Sequence, residues 1–522
     1  MKTGSMIAAL LVSTAWVGSP QAAEPADTSR QIQAMEKQIR DMQQQLEEMK
    51  TGTRSAIEAI AKEKAAREEA EKAAREAALE AGGTLVFDAG KRKVIPAANP
   101  KVVQSGTNRF TLSSPDNAWT IAPTGRIHFD FGGYLNQSPE GTTGPGTVAG
   151  GKLTSGVNVR RARFGVTGRA LNDFTYSLIL DAGGATDGTA SINTASIGYT
   201  GVSNTIFEMG YFANFFVLEE ASSSNDSLFI ERATPSSLAS SFSAGDPRSA
   251  VGFRTWEPNY WFGAYLTGST PNTAHALTKR TLAAYTRATY QIIETGLESL
   301  HIGVGATHVF DVANSGVGTA HSVTLSERPE LRIDPTVILN TGPLGTVANP
   351  VTSVQVYTAE TAAAFDGLFF QAEYFNTVIN RRGKTDAKFD TGYGEISYTI
   401  GGRRTYTANC GCYSGVNPVT PFNALKGGTG ALEFAARISV ANLTDQFDPT
   451  ILAAAQPNFV NGGKQTNYTL GLNWYWNSNM LWKFNYIHTD FDKFNPRTAT
   501  IATPIPLGLK VDSISGRFQV MF

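Results

Sequence analysis

From about Arg126 to the end of the chain, apolar and polar residues alternate with period two in segments of roughly ten residues. Successive side chains of a strand point to opposite faces, so each segment reads as a strand with two unlike faces. In the first, Ile127, Phe129 and Phe131 alternate with Arg126, His128, Asp130 and Gly132. Another sets Tyr468, Leu470, Leu472, Trp474 and Trp476 against Thr469, Gly471, Asn473 and Tyr475. The next sets Met480, Trp482, Phe484 and Tyr486 against Leu481, Lys483, Asn485 and Thr489. The last sets Ile514, Phe518, Val520 and Phe522 against Ser513, Ser515, Arg517 and Gln519. One face is oily and aromatic, the other polar, small or charged. In a soluble sandwich the oily face would turn inward. In a membrane barrel it meets lipid, and the polar face meets a water-filled lumen.

The pattern predicts strands near 126–135, 157–169, 173–182, 194–200, 205–212, 249–257, 259–268 and 281–291. Eight more fall near 299–310, 353–365, 367–379, 389–401, 430–441, 465–476, 479–490 and 511–522. The fold class that follows is all-β: a 16-stranded antiparallel transmembrane β-barrel, preceded by an N-terminal α-helical coiled coil. Tight turns are expected at Leu171-Asn172, Glu257-Pro258-Asn259, Asp366 and Asn477-Ser478, alternating with long connections rich in Gly, Thr, Asn and Pro. That rhythm, with an even strand count, puts both termini on the periplasmic side. Gly402 to Thr429 breaks it, being long on the short-turn side. Phe212 to Ser249 is unusually apolar for a loop in water, with Phe215, Phe216, Leu218, Leu228, Phe229 and Ile230. Folding into the lumen would account for it.

The start of the chain has a different character. Lys2 and the apolar stretch Met6 to Val17 form a secretory signal, too short to cross a bilayer as a helix, with cleavage expected near Ala22 or Ala23. Ile32, Met35, Ile39, Met42, Leu46 and Met49 follow a 3-4 spacing, the seam of a coiled coil about three heptads long. An Ala-, Glu-, Lys- and Arg-rich stretch runs from Ser55 to Ala81 and stops at Gly82-Gly83; a single solvated helix fits it equally well. The domain reading is signal peptide 1–23, periplasmic coiled coil or helix 24–83, linker 84–125 and barrel 126–522.

Composition adds little and excludes some classes. A net charge of -1 gives no reason to expect a nucleic-acid partner. The mean hydropathy of -0.17 is what a membrane barrel shows when lipid-facing and lumen-facing residues average out. From Thr84 onward 33 Lys and Arg face 32 Asp and Glu, so bulk charge does not make the lumen basic and placement decides.

Four stretches together resemble the phosphate-selective porin O/P family. Asn158-Val159-Arg160-Arg161-Ala162-Arg163-Phe164-Gly165 looks like its Arg-Arg-Ala strand. Gly210-Tyr211-Phe212 through Leu218-Glu219, Ser222-Ser223-Ser224 and Glu231-Arg232 look like its inward-folded constriction loop. Asn467 to Tyr475 resembles its fourteenth strand, and Arg517-Phe518-Gln519-Val520-Met521-Phe522 resembles its ending, whose terminal aromatic is read by barrel-assembly machinery. The resemblance spans about Arg126 to Phe522 and implies a homotrimer of 16-stranded anion channels in the outer membrane of a Gram-negative bacterium. Phosphate-specific members carry lysine in the constriction loop. Here that stretch reads Glu219-Glu220-Ala221-Ser222-Ser223-Ser224-Asn225-Asp226, so a modest anion preference is expected rather than tight phosphate binding.

Candidate chemistry follows from register. Arg161, Arg163 and Arg169 share one strand face, about 6.8 Å apart for each two-residue step. With Arg254, Arg437, Lys483 and Arg517 they form a candidate lumenal anion ladder, and Glu219, Glu220, Asn225, Asp226 and Arg232 are the candidate constriction-loop residues. Alternatively, the arginines brace Glu433, Glu395, Glu373, Glu208 and Asp130 across the wall. Cys410-Gly411-Cys412 suits a local disulfide in an oxidising compartment and has too few neighbouring ligands for a metal. His128 and His301 are expected to face the lumen, His308 and His488 the strand ends. No residue grouping supports an enzyme, and no cofactor is implied. The expected function is passive diffusion of small anions such as phosphate. Alternatives are a general or sugar/carboxylate porin, and an envelope tether whose coiled coil reaches peptidoglycan.

Overall fold

The protein is described from a computed structural model, in which residues 101–105, 109–139, 152–184, 189–242, 247–268, 281–314, 316, 318–501 and 503–522 are placed, with seven helical positions between Lys37 and Lys62. The chain divides into Met1–Pro96 and Ala97–Phe522. In the first unit the described positions Lys37, Arg40, Asp41, Gln43, Gln44, Glu47 and Lys62 are helical. The expected signal peptide and the six seam residues of the coiled coil lie outside the described residues.

In the second unit sixteen antiparallel strands form a closed barrel. They are β1 (Thr120–Pro139), β2 (Gly156–Ala170), β3 (Phe174–Asp181), β4 (Ser191–Tyr199), β5 (Thr205–Phe212), β6 (Arg248–Glu257), β7 (Tyr260–Thr267) and β8 (Leu282–Glu294). The circuit continues with β9 (Ser299–Asp311), β10 (Val351–Phe365), β11 (Leu368–Arg381), β12 (Ala387–Ile400), β13 (Ala431–Asp445), β14 (Val460–Tyr475), β15 (Met480–Asp492) and β16 (Leu509–Met521). Each strand pairs with its neighbour in sequence, and β16 returns to β1 through Arg517↔Asp130 and Phe518↔Phe129. Closure leaves no edge strand, so the wall satisfies its own backbone hydrogen bonds. The segment expected as a linker is partly structured: Lys101–Ser105 pairs with Arg109–Ser113, which meets β1 at Leu112↔Ile121.

The alternation in sequence becomes two faces of one wall. Outward side chains stay exposed, as at Leu470 (59%), Val304 (63%) and Ile514 (49%), while their sequence neighbours Thr469, Gly471, Ser513 and Ser515 turn inward. An exposed apolar belt around a whole barrel requires lipid as its partner. Aromatics mark both rims of the belt. Towards the turn end Trp474, Trp476, Trp482 and Phe518 contact one another, and towards the loop end the hydroxyls of Tyr374 and Tyr486 donate to Asp390 and Asp512.

Short turns lie at one end. Leu171, Asn172 and Asp366 take left-handed backbone conformations there, with φ of 53°, 67° and 52°. The other end carries the long connections, except that β11 and β12 are joined by only 382–386. Segment 401–430 is long on the turn side, as the sequence indicated. The wall is uneven in height: β3, β5 and β7 have 8 residues each, whereas β8 to β16 have 13 to 16.

Placing Leu470→Arg in the lipid-facing belt should lower the unfolding free energy of the vesicle-inserted protein by about 2–4 kcal/mol. Ser177→Arg, on the inward face of β3, should leave it nearly unchanged. Guanidinium titration of both variants checks this, and an unaffected Leu470→Arg would mean that this face does not meet lipid.

Candidate functional site: the lumen and its constriction

The described part of the connection after β5, residues 213–242, folds into the barrel. It carries two short helices, α1 (Leu218–Ala221) and α2 (Thr234–Ser240). Phe216, Val217, Leu218, Phe229 and Leu238 are buried in clusters with inward residues such as Tyr285, Val356, Phe375 and Ala435. Burying those apolar groups favours insertion, but a loop also brings polar backbone that must be paired. The wall and the β12–β13 connection supply the partners. Glu373 accepts from the Leu218 and Glu219 amides at 2.7 and 3.1 Å. Lys483 donates to the Ser227 carbonyl, Asn473 to Leu228, Gln519 to Asn225, Arg404 to Asp226 and Arg437 to Glu231.

Carboxylates of the loop complete the attachment. Glu231 binds Arg160 of β2 at 2.7 Å, Arg517 of β16 at 3.2 Å and Arg332 at 3.5 Å. Burial alone would raise the pKa of the Glu231 carboxyl. The surrounding Arg160, Arg517 and Arg332 outweigh that and hold it well below the ordinary carboxylate range. Glu219 lies 3.4 Å from Arg437, and Glu220 pairs with Arg232 within the loop at 3.1 Å.

Two other segments enter the lumen. From the β9–β10 connection, Glu330 binds Arg437 at 2.6 Å and Ser439 at 2.5 Å, and accepts the Thr234 amide at 2.9 Å. From the turn end comes the β12–β13 connection, where Cys410 and Cys412 form a disulfide. Arg287 donates to the Cys410 and Gly411 carbonyls at 3.0 and 2.6 Å, and the Trp261 indole donates to Asn409. A Cβ on Gly411 would stand 3.1 Å from the Trp261 ring, and Gly411 has a φ of 55°. Glycine is suited to such a close approach in a left-handed conformation. The cysteines therefore sit inside the barrel, not on a periplasmic loop surface.

These insertions cover the lumen unequally. Inward residues of β10 to β16 are almost all buried, whereas those of β3 to β5 keep intermediate exposure. Water-accessible lumen therefore remains along β2 to β6. Among the expected ladder residues, Arg163 pairs with Asp181 at 2.6 Å and Arg254 with Glu208 at 2.6 Å, both only partly buried. Arg437, Lys483 and Arg517 point inward but are sealed beneath the inserted segments. The bracing alternative describes much of their chemistry: Arg517 meets Asp130 at 2.6 Å, and Arg437 meets Glu395 at 3.7 Å. Glu433 is instead held by Arg404 at 2.6 Å. Arg161, only 7% exposed, is the exception: its Nε has no hydrogen-bond partner, and no carboxylate lies within ion-pair distance among the described residues. Arg169 is exposed near the turn end. In the loop, Glu219 and Asn225 are buried, the latter against His128 at 3.1 Å, while Asp226 and Arg232 are partly buried. His301 is buried beside Glu360, and His308 and His488 face outward near the loop end.

Sequence reasoning missed Arg160 as an inward group. Strict alternation would send it to lipid. A bulge breaks the register between His128↔Arg161 and Phe129↔Val159, so Arg160 and Arg161 both turn inward. The two adjacent arginines were the available signal, since lipid-facing arginine is costly. Arg126 also reaches the loop, donating to Ser224 at 2.8 Å. Arg404 and Glu330 carried no signal, because they lie on segments whose insertion a local pattern does not reveal, and Arg287 reaches such a segment at Cys410 and Gly411.

The sequence model of the phosphate-selective porin O and P family matches residues 123–522. No curated protein matches the chain. Among solved structures, similar folds include in-vitro folded OmpT of Vibrio cholerae in a trimer form, 11% identical over 78% of this chain and 100% of that one, with a TM-score of 0.45. An anion-selective porin from Comamonas acidovorans is 11% identical over 77% and 100% of the two chains, with a TM-score of 0.42. OprB of Pseudomonas putida is 8% identical over 76% and 94%, with a TM-score of 0.42.

The Glu231 anchor should be pH-resistant. Its pKa is depressed in the folded state, so its stabilising contribution is complete above the ordinary carboxylate value of about 4.3 and fades only as pH falls through the depressed value. Single-channel conductance should stay steady from neutral pH down to the ordinary carboxylate range. Glu231→Gln should weaken the attachment by about 3–5 kcal/mol and raise conductance and current noise at every pH. Wild-type behaviour in that variant would show that the attachment lies elsewhere.

Proposed function

The chain belongs to the phosphate-selective porin O and P family, and from that premise we propose that this outer-membrane porin passes small anions by passive diffusion with modest selectivity. Arg161 carries the reading. Its side chain turns inward from β2, which borders the water-accessible lumen, and no carboxylate lies within ion-pair distance of it among the described residues, so its charge is available to a passing anion. Other cations along this passage are offset: Arg160 by Glu231, Arg163 by Asp181, Arg232 by Glu220 and Arg254 by Glu208. A small electrostatic bias follows.

Phosphate specificity would need several donors converging on one dehydrated ion. Between Ala213 and Pro247 there is no lysine, and the loop brings Glu219, Glu220, Asp226 and Glu231 instead. The carboxylates favour a weakly selective channel over a phosphate trap. No energy source or cofactor enters this mechanism. The turn end is taken as periplasmic, because both ends of the barrel sequence lie there and the longer connections suit the outer surface.

The low wall supports a homotrimer. At about 3.4 Å per residue and a tilt of about 40°, an 8-residue strand rises only about 20 Å, against an apolar band about 25 Å tall. Neighbouring protomers packed against β3 to β7 would remove this mismatch with lipid.

Two measurements test these readings. Across a KCl gradient, the zero-current potential should show chloride preference, and Arg161→Gln should reduce that preference without abolishing conduction. Cation preference in the wild type would overturn the anion reading, and block by micromolar phosphate would overturn the lack of phosphate specificity. Mass measurement in detergent should give three protomers; a monodisperse monomer would exclude the packed low wall.

A further inference from the structure

At the loop end of the barrel, beneath segment 341–349, lies a cavity of about 400 Å³. That is within the range of small-molecule sites. Three cations line it: Arg381 at the end of β11, Lys384 in the following turn and Lys493 just beyond β15. Among the described residues no carboxylate lines it. Leu344, Phe459, Phe494 and Leu507 supply apolar and aromatic wall.

The charge at this cavity differs from that in the constriction. Around the loop most arginines are offset by carboxylates at 2.6 to 3.5 Å. At the cavity, no ion pair joins Arg381, Lys384 or Lys493 to a carboxylate among the described residues. Arg381 is almost fully buried, and its guanidinium donates to neutral carbonyls only, those of Thr385 at 3.0 and 2.8 Å and Asn458 at 2.9 Å. Lys493 has a long contact of 3.4 Å to the Asn340 carbonyl, and the Lys384 ammonium has no partner among the described residues. Neutral acceptors hold the cations in place, and Asp445 and Asp386 act on Arg381 only from beyond ion-pair distance, so three cations against two more distant carboxylates leave the cavity positive. The cavity thus combines a positive rim with a wall of mixed character, in which Thr341, Thr346, Asn349, Asn461 and Asn495 lie beside the apolar groups.

We propose that this cavity is a capture site for small organic anions, a carboxylate on an aromatic or short hydrocarbon body. The inference rests on the anion-channel reading above and gives it a solute class. The carboxylate meets Lys384 and Lys493, with Arg381 adding positive potential from beneath. The body packs against Phe459, Phe494 and Leu344, which an inorganic ion cannot use. Chloride and phosphate gain only the electrostatic part, and a neutral aromatic gains only the apolar part. The site therefore selects for the combination.

Ligand-observed NMR titration of the purified full-length protein in detergent tests this, with benzoate, acetate and benzyl alcohol as probes. Benzoate should bind saturably, and at least about tenfold more tightly than either fragment. The double variant Lys384→Gln/Lys493→Gln should weaken benzoate binding about tenfold, whereas Lys384→Arg/Lys493→Arg should retain it. Heat-modifiable gel migration reports that each variant is folded. Equal binding of benzoate and benzyl alcohol, or unchanged benzoate affinity in a folded Gln variant, would overturn the proposal. Chloride preference across the KCl gradient together with absent benzoate binding would leave the anion channel standing and remove only this site. Cation preference with benzoate binding intact would do the reverse.

Discussion

Burying charge inside a lipid-wrapped cylinder is the constraint on which the rest of this structure depends. The wall turns Arg287, Glu360, Glu433, Arg437, Lys483 and Arg517 inward, and inserted segments then shut water away from them. An isolated buried charge costs several kcal/mol, so each requires a partner. The arrangement meets that need reciprocally. Glu360 holds Arg287 at 2.7 Å, and Arg287 spends its remaining hydrogens on the Cys410 and Gly411 carbonyls. Glu433 holds Arg404, which reaches the Asp226 carbonyl. Wall charges are thus satisfied by insertions, and insertions are fixed by wall charges.

The wall itself was open to sequence reading. Outward residues must be apolar and inward ones need not be, so alternation survives along most of the wall and all sixteen segments were located, with ends displaced by up to about six residues. The pattern failed where the backbone departs from period two. At Arg160-Arg161 the extra residue of a bulge puts two adjacent side chains on one side. The insertion of the apolar loop after β5 was legible from Phe216, Leu218 and Phe229, which water would not tolerate in such number. Its seating was not. Glu330 lies 107 positions from Arg437, and nothing local to either residue announces the other. The same holds for the β12–β13 connection, whose length was conspicuous but whose course into the barrel depends on Arg287 and Trp261, more than a hundred positions earlier.

The two faces of β2 to β6 show how little charge is left for selection. Mutual pairing makes the lumen rigid, yet every ion pair that braces the wall also cancels a charge that a solute would feel. Stability and selectivity therefore draw on the same side chains. The proposed division of tasks is one of location: paired residues hold the constriction, and cations without an ion pair among the described residues, Arg161 in the wall and Lys384 at the mouth, are the ones proposed to act on solutes.

Glu231 occupies a singular position in this scheme. It touches Arg160 on β2 and Arg517 on β16, straddling the seam at β1 where the first and last strands meet. Residue 517 lies 286 positions from its partner in the loop, and 387 from Asp130 on the adjoining strand. Contacts of such long sequence separation carry a loop-closure entropy cost that the paired charges must offset. The clasp is complete only when the C-terminal strand has docked. The same residues therefore join two tasks, shutting the wall at its last seam and tethering the segment that fills the lumen.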